Sequence, residues 1–194
     1  MPLIGRSDRK GAQEHNPQRP GETIYIDRRY SLKKGRGHII EEHQGSLCYE
    51  ILRSLLSKRD ADNAVQGFIV SRQHPTALRE KYGLEGVPML WLATQPGENT
   101  IDPTSLGMLA HAVAEFLSKT KDGLVLLDGI EYLMTNNDFK KVARLIEQIN
   151  DSVMNYHGYL LMTMDPRTFD PKELAILERN FEIIHPKGSP GNSG

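Results

Sequence analysis

The sequence predicts an α/β domain: a mostly parallel, twisted sheet of about five or six strands with helices on both faces. Three observations lead there. GFIVS (67–71), GLVLLD (123–128) and YLLMTM (159–164) are continuous apolar runs rather than alternating ones, as strands covered on both sides must be. Between such runs, apolar residues recur at the three- and four-residue spacing of amphipathic helices. The chain of 194 residues is long enough to bury one sizeable core, and its 38% hydrophobic and 25% charged fractions are ordinary for a globular domain.

The elements follow in turn. GHIIEE (37–42) reads as the first strand, and residues 47–58 as a helix with Cys48, Ile51, Leu52, Leu55 and Leu56 on one face. After the strand at 67–71 a short helix starts at Pro75, where a missing N–H costs nothing. Residues 87–93 form the third strand, with Pro88 tolerable near its start. Asp102 then caps and Pro103 opens a helix whose stripe is Leu106, Leu109, Ala110, Val113, Phe116 and Leu117. The strand ending at Asp128 follows. A long helix lined by Phe139, Val142, Leu145, Ile146, Ile149 and Val153 leads to the strand at 159–164, and a short helix over 171–180 leads to a last strand at 181–184. No internal repeat is visible.

Charge divides the chain. Residues 1–36 carry nine basic and four acidic side chains, a net +5 that leaves −6 for the remainder. Residues 1–22 are expected to be a disordered basic arm, 23–184 the folded domain and 185–194 a flexible tail, because the ends hold too few apolar residues to offset the entropy of folding. The arm can serve as a solubilising tail, the favoured reading, or touch nucleic acid, although no aromatic residue sits among its charges for base stacking. Cys48 is alone, so no disulfide forms within the chain. No apolar run approaches the roughly 20 residues a spanning helix needs, so no membrane is expected and a cytoplasmic location is inferred.

In parallel α/β sheets ligands sit beyond the carboxyl ends of the strands. Those ends carry Glu41, Glu42 and His43; Arg72 and His74; Thr94 and Gln95; Asp128; and Asp165. The apolar run ending at Asp128 has the shape of a Mg²⁺-binding strand in a nucleotide hydrolase, yet no G-x-x-x-x-G-K-[ST] loop occurs to hold phosphates. Asp128 therefore has two readings. It is either a weak candidate Mg²⁺ ligand or, the favoured alternative, a structural carboxylate that accepts backbone N–H groups or pairs with Arg72. Arg72 could recognise an anion, or neutralise Asp128 or Glu42 internally. No H-x-x-x-H or H-E-x-x-H spacing places two histidines together, so no metal site is expected. His43 and His74 could face each other as an acid/base pair, although loop histidines on a surface are the commoner outcome. Cys48 reads as a structural thiol and Trp91 as a core residue whose N–H needs one partner. Tyr132 packs under the long helix by default, or Ile130, Tyr132 and Leu133 form part of a partner-binding edge.

The order LKKGRGHIIE, GFIVSRQHPTALREKYGLEG and VLLDGIEYL resembles RecA-like ATPases of the circadian-clock KaiC type. More narrowly, LLDGIEYL, the long helix after it, the MDP turn and LAILERNF are similar to the archaeal domain-of-unknown-function family numbered 835. The resemblance spans residues 23–184 and implies a RecA-like P-loop fold without the P-loop. Where the ATPases have a lysine-bearing loop, this chain has Glu41-Glu42-His43-Gln44-Gly45-Ser46-Leu47-Cys48, and the acidic pair that activates water in the KaiC type is replaced by Ser71-Arg72-Gln73-His74. Carboxylates so close to a triphosphate would cost several kcal/mol. No catalytic residue and no cofactor are expected. Glu41, Glu42, His43, Gly45, Ser46, Arg72, His74, Asp128 and Asp165 stand as residual ligand-site candidates. The favoured function is a non-catalytic module in protein interaction or regulatory signalling, a monomer or dimer with an unidentified protein partner. A ligand sensor with a residual nucleotide or anion site, and a nucleic-acid-associated protein using the basic arm, are the alternatives.

Overall fold

The computed structural model describes residues 22–26, 28–43, 45–57 and 65–186. Along the chain these form β1 (Thr23–Tyr25), β2 (Ser31–Lys33), β3 (Arg36–Glu41), α1 (Leu47–Ser57), β4 (Gln66–Ser71), α2 (Pro75–Tyr82), β5 (Met89–Leu92), β6 (Thr100–Ile101), α3 (Leu106–Lys119), β7 (Gly123–Asp128), α4 (Ile130–Asn136), α5 (Phe139–Asn155), β8 (Tyr159–Met164), a 3₁₀ turn (Pro166–Thr168), α6 (Pro171–Glu178) and β9 (Glu182–Ile184). The α/β class and the parallel sheet are as the apolar runs require. Seven strands, in the order β6-β5-β4-β7-β8-β3-β9, all pair in parallel, and β1 and β2 form a separate antiparallel hairpin.

Two layers of helix cover the sheet. On one face α1 and α2 bury Cys48, Tyr49, Leu52, Leu55 and Leu78 against Ile40, Ile69, Leu126 and Leu161. On the other, α3, α4, α5 and α6 bury Leu109, Val113, Leu133, Leu145, Ile149 and Leu177 against Ile39, Val70, Leu127 and Met162. Each such side chain contributes roughly 1.5–3 kcal/mol by leaving water, which fixes the strand faces and so the direction every edge residue points.

The sheet has one strand more than expected. β6 is two residues long, too short for periodicity to reveal, and the hairpin β1–β2 was hidden in a charged stretch. The α3 helix begins at Leu106, not Pro103: Asp102 instead bonds the backbone N–H and hydroxyl of Thr104 in a local turn before it. The α4 helix was also unanticipated. Gly129, with φ of +119°, permits the sharp exit from β7, and a Cβ there would meet Leu92 at 3.1 Å and the Arg72 backbone nitrogen at 3.3 Å. Ile130 and Leu133 are fully buried on α4, so they are core residues and not an exposed edge.

Residues 1–21 of the expected arm and 187–194 of the expected tail lie outside the described residues. Glu22 accepts bonds from Lys34 through both backbone and side chain, and His185 Nδ1 lies 3.1 Å from a Glu41 carboxylate oxygen. No described helix is long and apolar enough to cross a membrane.

Candidate functional site

Register puts Ser71, Asp128 and Thr163 side by side on β4, β7 and β8 at the carboxyl end of the sheet. Partnered residues of parallel strands share a face, so the three form a polar row beneath the start of α1. Ser71 and Thr163 are buried, which obliges each to find a partner inside the protein.

Glu42, one residue past β3, closes one end of this row. Its backbone N–H donates to the Met164 carbonyl at 3.0 Å, fixing the loop to β8. Its carboxylate accepts the backbone N–H groups of Leu47 at 2.9 Å and Cys48 at 3.1 Å, and the Thr163 hydroxyl at 3.1 Å. The first N–H groups of a helix have no intrahelical partner and carry the positive end of its dipole, which makes them an anion site. In this chain the anion is the protein's own side chain. Gly45, with φ of +60°, turns the loop, and Cys48 Sγ donates to the Gly45 carbonyl at 3.4 Å.

Asp128 closes the middle. Its Oδ2 accepts the Tyr49 hydroxyl at 2.5 Å, the Ser71 hydroxyl at 2.9 Å and the Gln73 amide nitrogen at 3.2 Å. Tyr49 and Ser71 oxygens also lie 2.9 Å apart. The single phenolic proton is best placed on the charged acceptor, leaving the Ser71 proton to Asp128 or to the Tyr49 oxygen. Burial, reinforced by the Asp128 charge, pushes the Tyr49 phenol far above its ordinary range. Burial also pushes the Cys48 thiol well up, with Asp128 and Glu42 adding to it, so the thiol stays protonated and is no nucleophile.

The expected partners of Asp128 are thus corrected: it takes side-chain donors rather than backbone amides, and Arg72 makes no ion pair with it or with Glu42. Ser71 points to the α1 face, while the next residue, Arg72, points to the other, as strand alternation demands. There its guanidinium lies 4.5 Å from the Tyr132 ring centroid, with a long 3.5 Å contact to the Leu92 carbonyl. Trp91 is half-buried, and its N–H finds the expected single partner, the Arg72 carbonyl at 3.0 Å.

His43 and His74 do not meet. They follow the ends of β3 and β4, with β7 and β8 between. His43 pairs with Asp165 at 3.1 Å; His74 caps α2 by accepting the Thr76 N–H at 3.2 Å and packs edge-on against Trp91. Asp165 also binds Arg167, which holds its carboxyl well below the usual carboxylate range. Glu131 on α4 accepts the Asp165 N–H at 2.7 Å, and burial raises its pKa. Ser46 contributes its carbonyl to Glu50 N–H, and Thr94 and Gln95 are exposed. Sequence reasoning missed Tyr49, Gln73, Thr163 and Glu131. For Tyr49 a signal existed, in the first turn of α1 three residues before the apolar Leu52 and next to the strand ends.

Among the described residues no group of three or more His, Cys, Asp or Glu is placed to hold a metal ion. A cavity of about 600 Å³ lies at the other end of the sheet, by Gln66, Gly67 and the turn over 83–88, and none of the candidate residues lines it.

The chain belongs to the family described as a protein of unknown function (DUF835), whose model matches residues 43–181. No curated protein matches the sequence. Its fold is similar to that of a KaiC-like protein from the hyperthermophilic archaeon Pyrococcus horikoshii OT3, with TM-score 0.58 and 12% identity over 79% of this chain and 73% of that one. A second structure from the same organism, the PH0250 protein, is similar with TM-score 0.56 and 10% identity over 78% of this chain and 82% of that one. At such identities the likeness concerns the fold alone, and it is the RecA-type α/β fold that the strand order and helix layers describe.

Proposed function

We propose that this chain is a non-catalytic RecA/KaiC-like module that works in protein interaction or regulatory signalling. One observation carries the reading: the Glu42 carboxylate occupies the two leading amides of α1, the donors a phosphate would need. A nucleotide would have to displace a tethered carboxylate and then lie beside it, which costs several kcal/mol in repulsion alone. Asp128 is likewise engaged, its Oδ2 taken by three side-chain donors. A lone carboxylate already satisfied this way is a poor Mg²⁺ ligand without phosphate oxygens to complete the shell. What remains is a rigid scaffold with an internally paired edge, suited to presenting surface rather than to turning over substrate. Titration calorimetry with Mg²⁺-ATP tests this, and no saturable heat is expected up to millimolar nucleotide. A micromolar isotherm would refute it.

A second reading, sensing of an anion at the sheet edge, is favoured by Arg72, which has no carboxylate partner among the described residues. Stabilisation by millimolar phosphate that is lost in Arg72→Ala would select it over the first.

A further inference from the structure

His38, on β3, is 1% exposed, and the titration of a buried imidazole is a structural event. Its Nε2 accepts the backbone N–H of Lys33 at 3.1 Å. That nitrogen must be unprotonated, so the proton sits on Nδ1, which is near the backbone of Leu160 and Arg36 but makes no well-formed hydrogen bond. Lys33 is the last residue of β2, and its ammonium reaches across to Glu182 at 2.8 Å. Glu182 is in turn the register partner of His38 on β9. Lys33 is therefore held by two bonds, one through its backbone amide and one through its side chain, while the turn after it is held separately by the Lys34 ammonium on Asp122 at 2.6 Å and the Gly35 N–H on the Gly158 carbonyl at 2.7 Å. Beneath it Leu32 is fully buried and Ile26 nearly so, in the cluster that includes Tyr159 and Ile184.

We propose that His38 is a latch for the β1–β2 hairpin, and that protonation of its Nε2 loosens the hairpin from the sheet at Lys33. A protonated Nε2 is a donor facing a donor, so the Lys33 amide loses its acceptor and repels the ring. The groups facing the imidazole are few. Lys33 from β2 opposes the added charge, Glu182 from β9 favours it, and the backbone of Leu160 from β8 and of Arg36 from β3 offers acceptors. Burial outweighs the favourable ones and holds the His38 pKa below the ordinary histidine value of 6.5. For a histidine the sign follows directly. The open form, with a solvated ring, takes up the proton more readily, so the latch is intact above about pH 6.5 and weakens as pH falls through that value toward the depressed one. The Lys33–Glu182 pair does not share this window, because Lys33 holds the Glu182 carboxyl below its usual range.

This latch is independent of the proposed function, since no residue of the carboxyl edge takes part. The test is amide exchange by NMR on the full chain between pH 7.5 and 5, corrected for intrinsic rates. Protection of the Lys33 amide, and of the Ile26 amide that bonds to Tyr30 within the hairpin, should fall by up to about tenfold per pH unit below 6.5, while Leu126 in β7 holds. His38→Gln keeps an acceptor at the reach of Nε2 without a titration, so the pH dependence should vanish; in Glu182→Gln it should persist. Should a variant not fold, the His38 ring resonances of the wild type serve instead, and their titration must share the midpoint of the amide loss. Constant Lys33 protection from pH 7 to 5, an unchanged slope in His38→Gln, or separate midpoints for ring and amide would each overturn the latch.

Discussion

The two ends of the sheet treat buried polar groups in opposite ways. At the carboxyl end, Glu42 and Asp128 draw in backbone and side-chain donors until the polar row is paired within the protein. At the amino end, His38 keeps one ring nitrogen without a well-formed hydrogen bond beneath a hairpin. The difference teaches where each end is vulnerable. Paired carboxylates make the carboxyl end intolerant of substitution, whereas the buried imidazole makes the amino end responsive to pH.

The strongest way to break this contrast is Asp128→Ala. It leaves the Tyr49 and Ser71 hydroxyls, both buried, without their charged acceptor, and should cost about 2–4 kcal/mol in urea unfolding. A loss under about 1 kcal/mol would mean that the row is not coupled to stability. Glu42→Ala comes next, at about 1–2 kcal/mol, since it strips the cap from two amides of α1 and one acceptor from Thr163. That variant also sharpens the comparison. With the amides bared, millimolar phosphate should raise the Tm of Glu42→Ala and leave the wild type unmoved.

Tyr49→Phe removes one donor of three from Asp128 and should cost about 1–2 kcal/mol near neutrality. Its signature lies at high pH. The Tyr49 phenol is raised in the folded state, so its contribution is complete below the ordinary tyrosine value near 10 and is lost as pH rises above it. Alkaline unfolding of Tyr49→Phe should accordingly begin later, relative to its own neutral stability, than that of the wild type. Arg72→Ala should do least, about 0.5–1 kcal/mol, because its cation–π contact with the half-buried Tyr132 is made by an exposed side chain.

The legible part of this protein was what periodicity and end-residue chemistry encode. The faces of α1, α3 and α5 and the apolar runs of β4, β7 and β8 follow from burial on one or both sides, which leaves its mark residue by residue. The two-residue β6, the hairpin and the seven-residue α4 are too short or too charged to show a period, and they exist because neighbours supply their partners. Position at the carboxyl edge was also readable for Glu42, Arg72 and Asp128, because it depends only on where strands stop. Pairing was not. Whether Asp128 meets Arg72 or Tyr49 is decided by which face each side chain leaves, and Arg72, one residue beyond Ser71, leaves toward Tyr132. Glu42 was expected to repel a phosphate; it also fills the phosphate's place. His38 gave no signal, since a histidine in GHIIEE looks like any strand residue until the hairpin covers it.

The central claim is that the loop between β3 and α1 is filled by its own carboxylate. Crystals of the full chain grown with Mg²⁺ and a non-hydrolysable ATP analogue at millimolar concentration test it most directly. Glu42 is expected to remain within hydrogen-bond distance of the Leu47 and Cys48 amides with no nucleotide beside them. Density for a γ-phosphate on those amides, with Glu42 swung away and Mg²⁺ on Asp128, would contradict it.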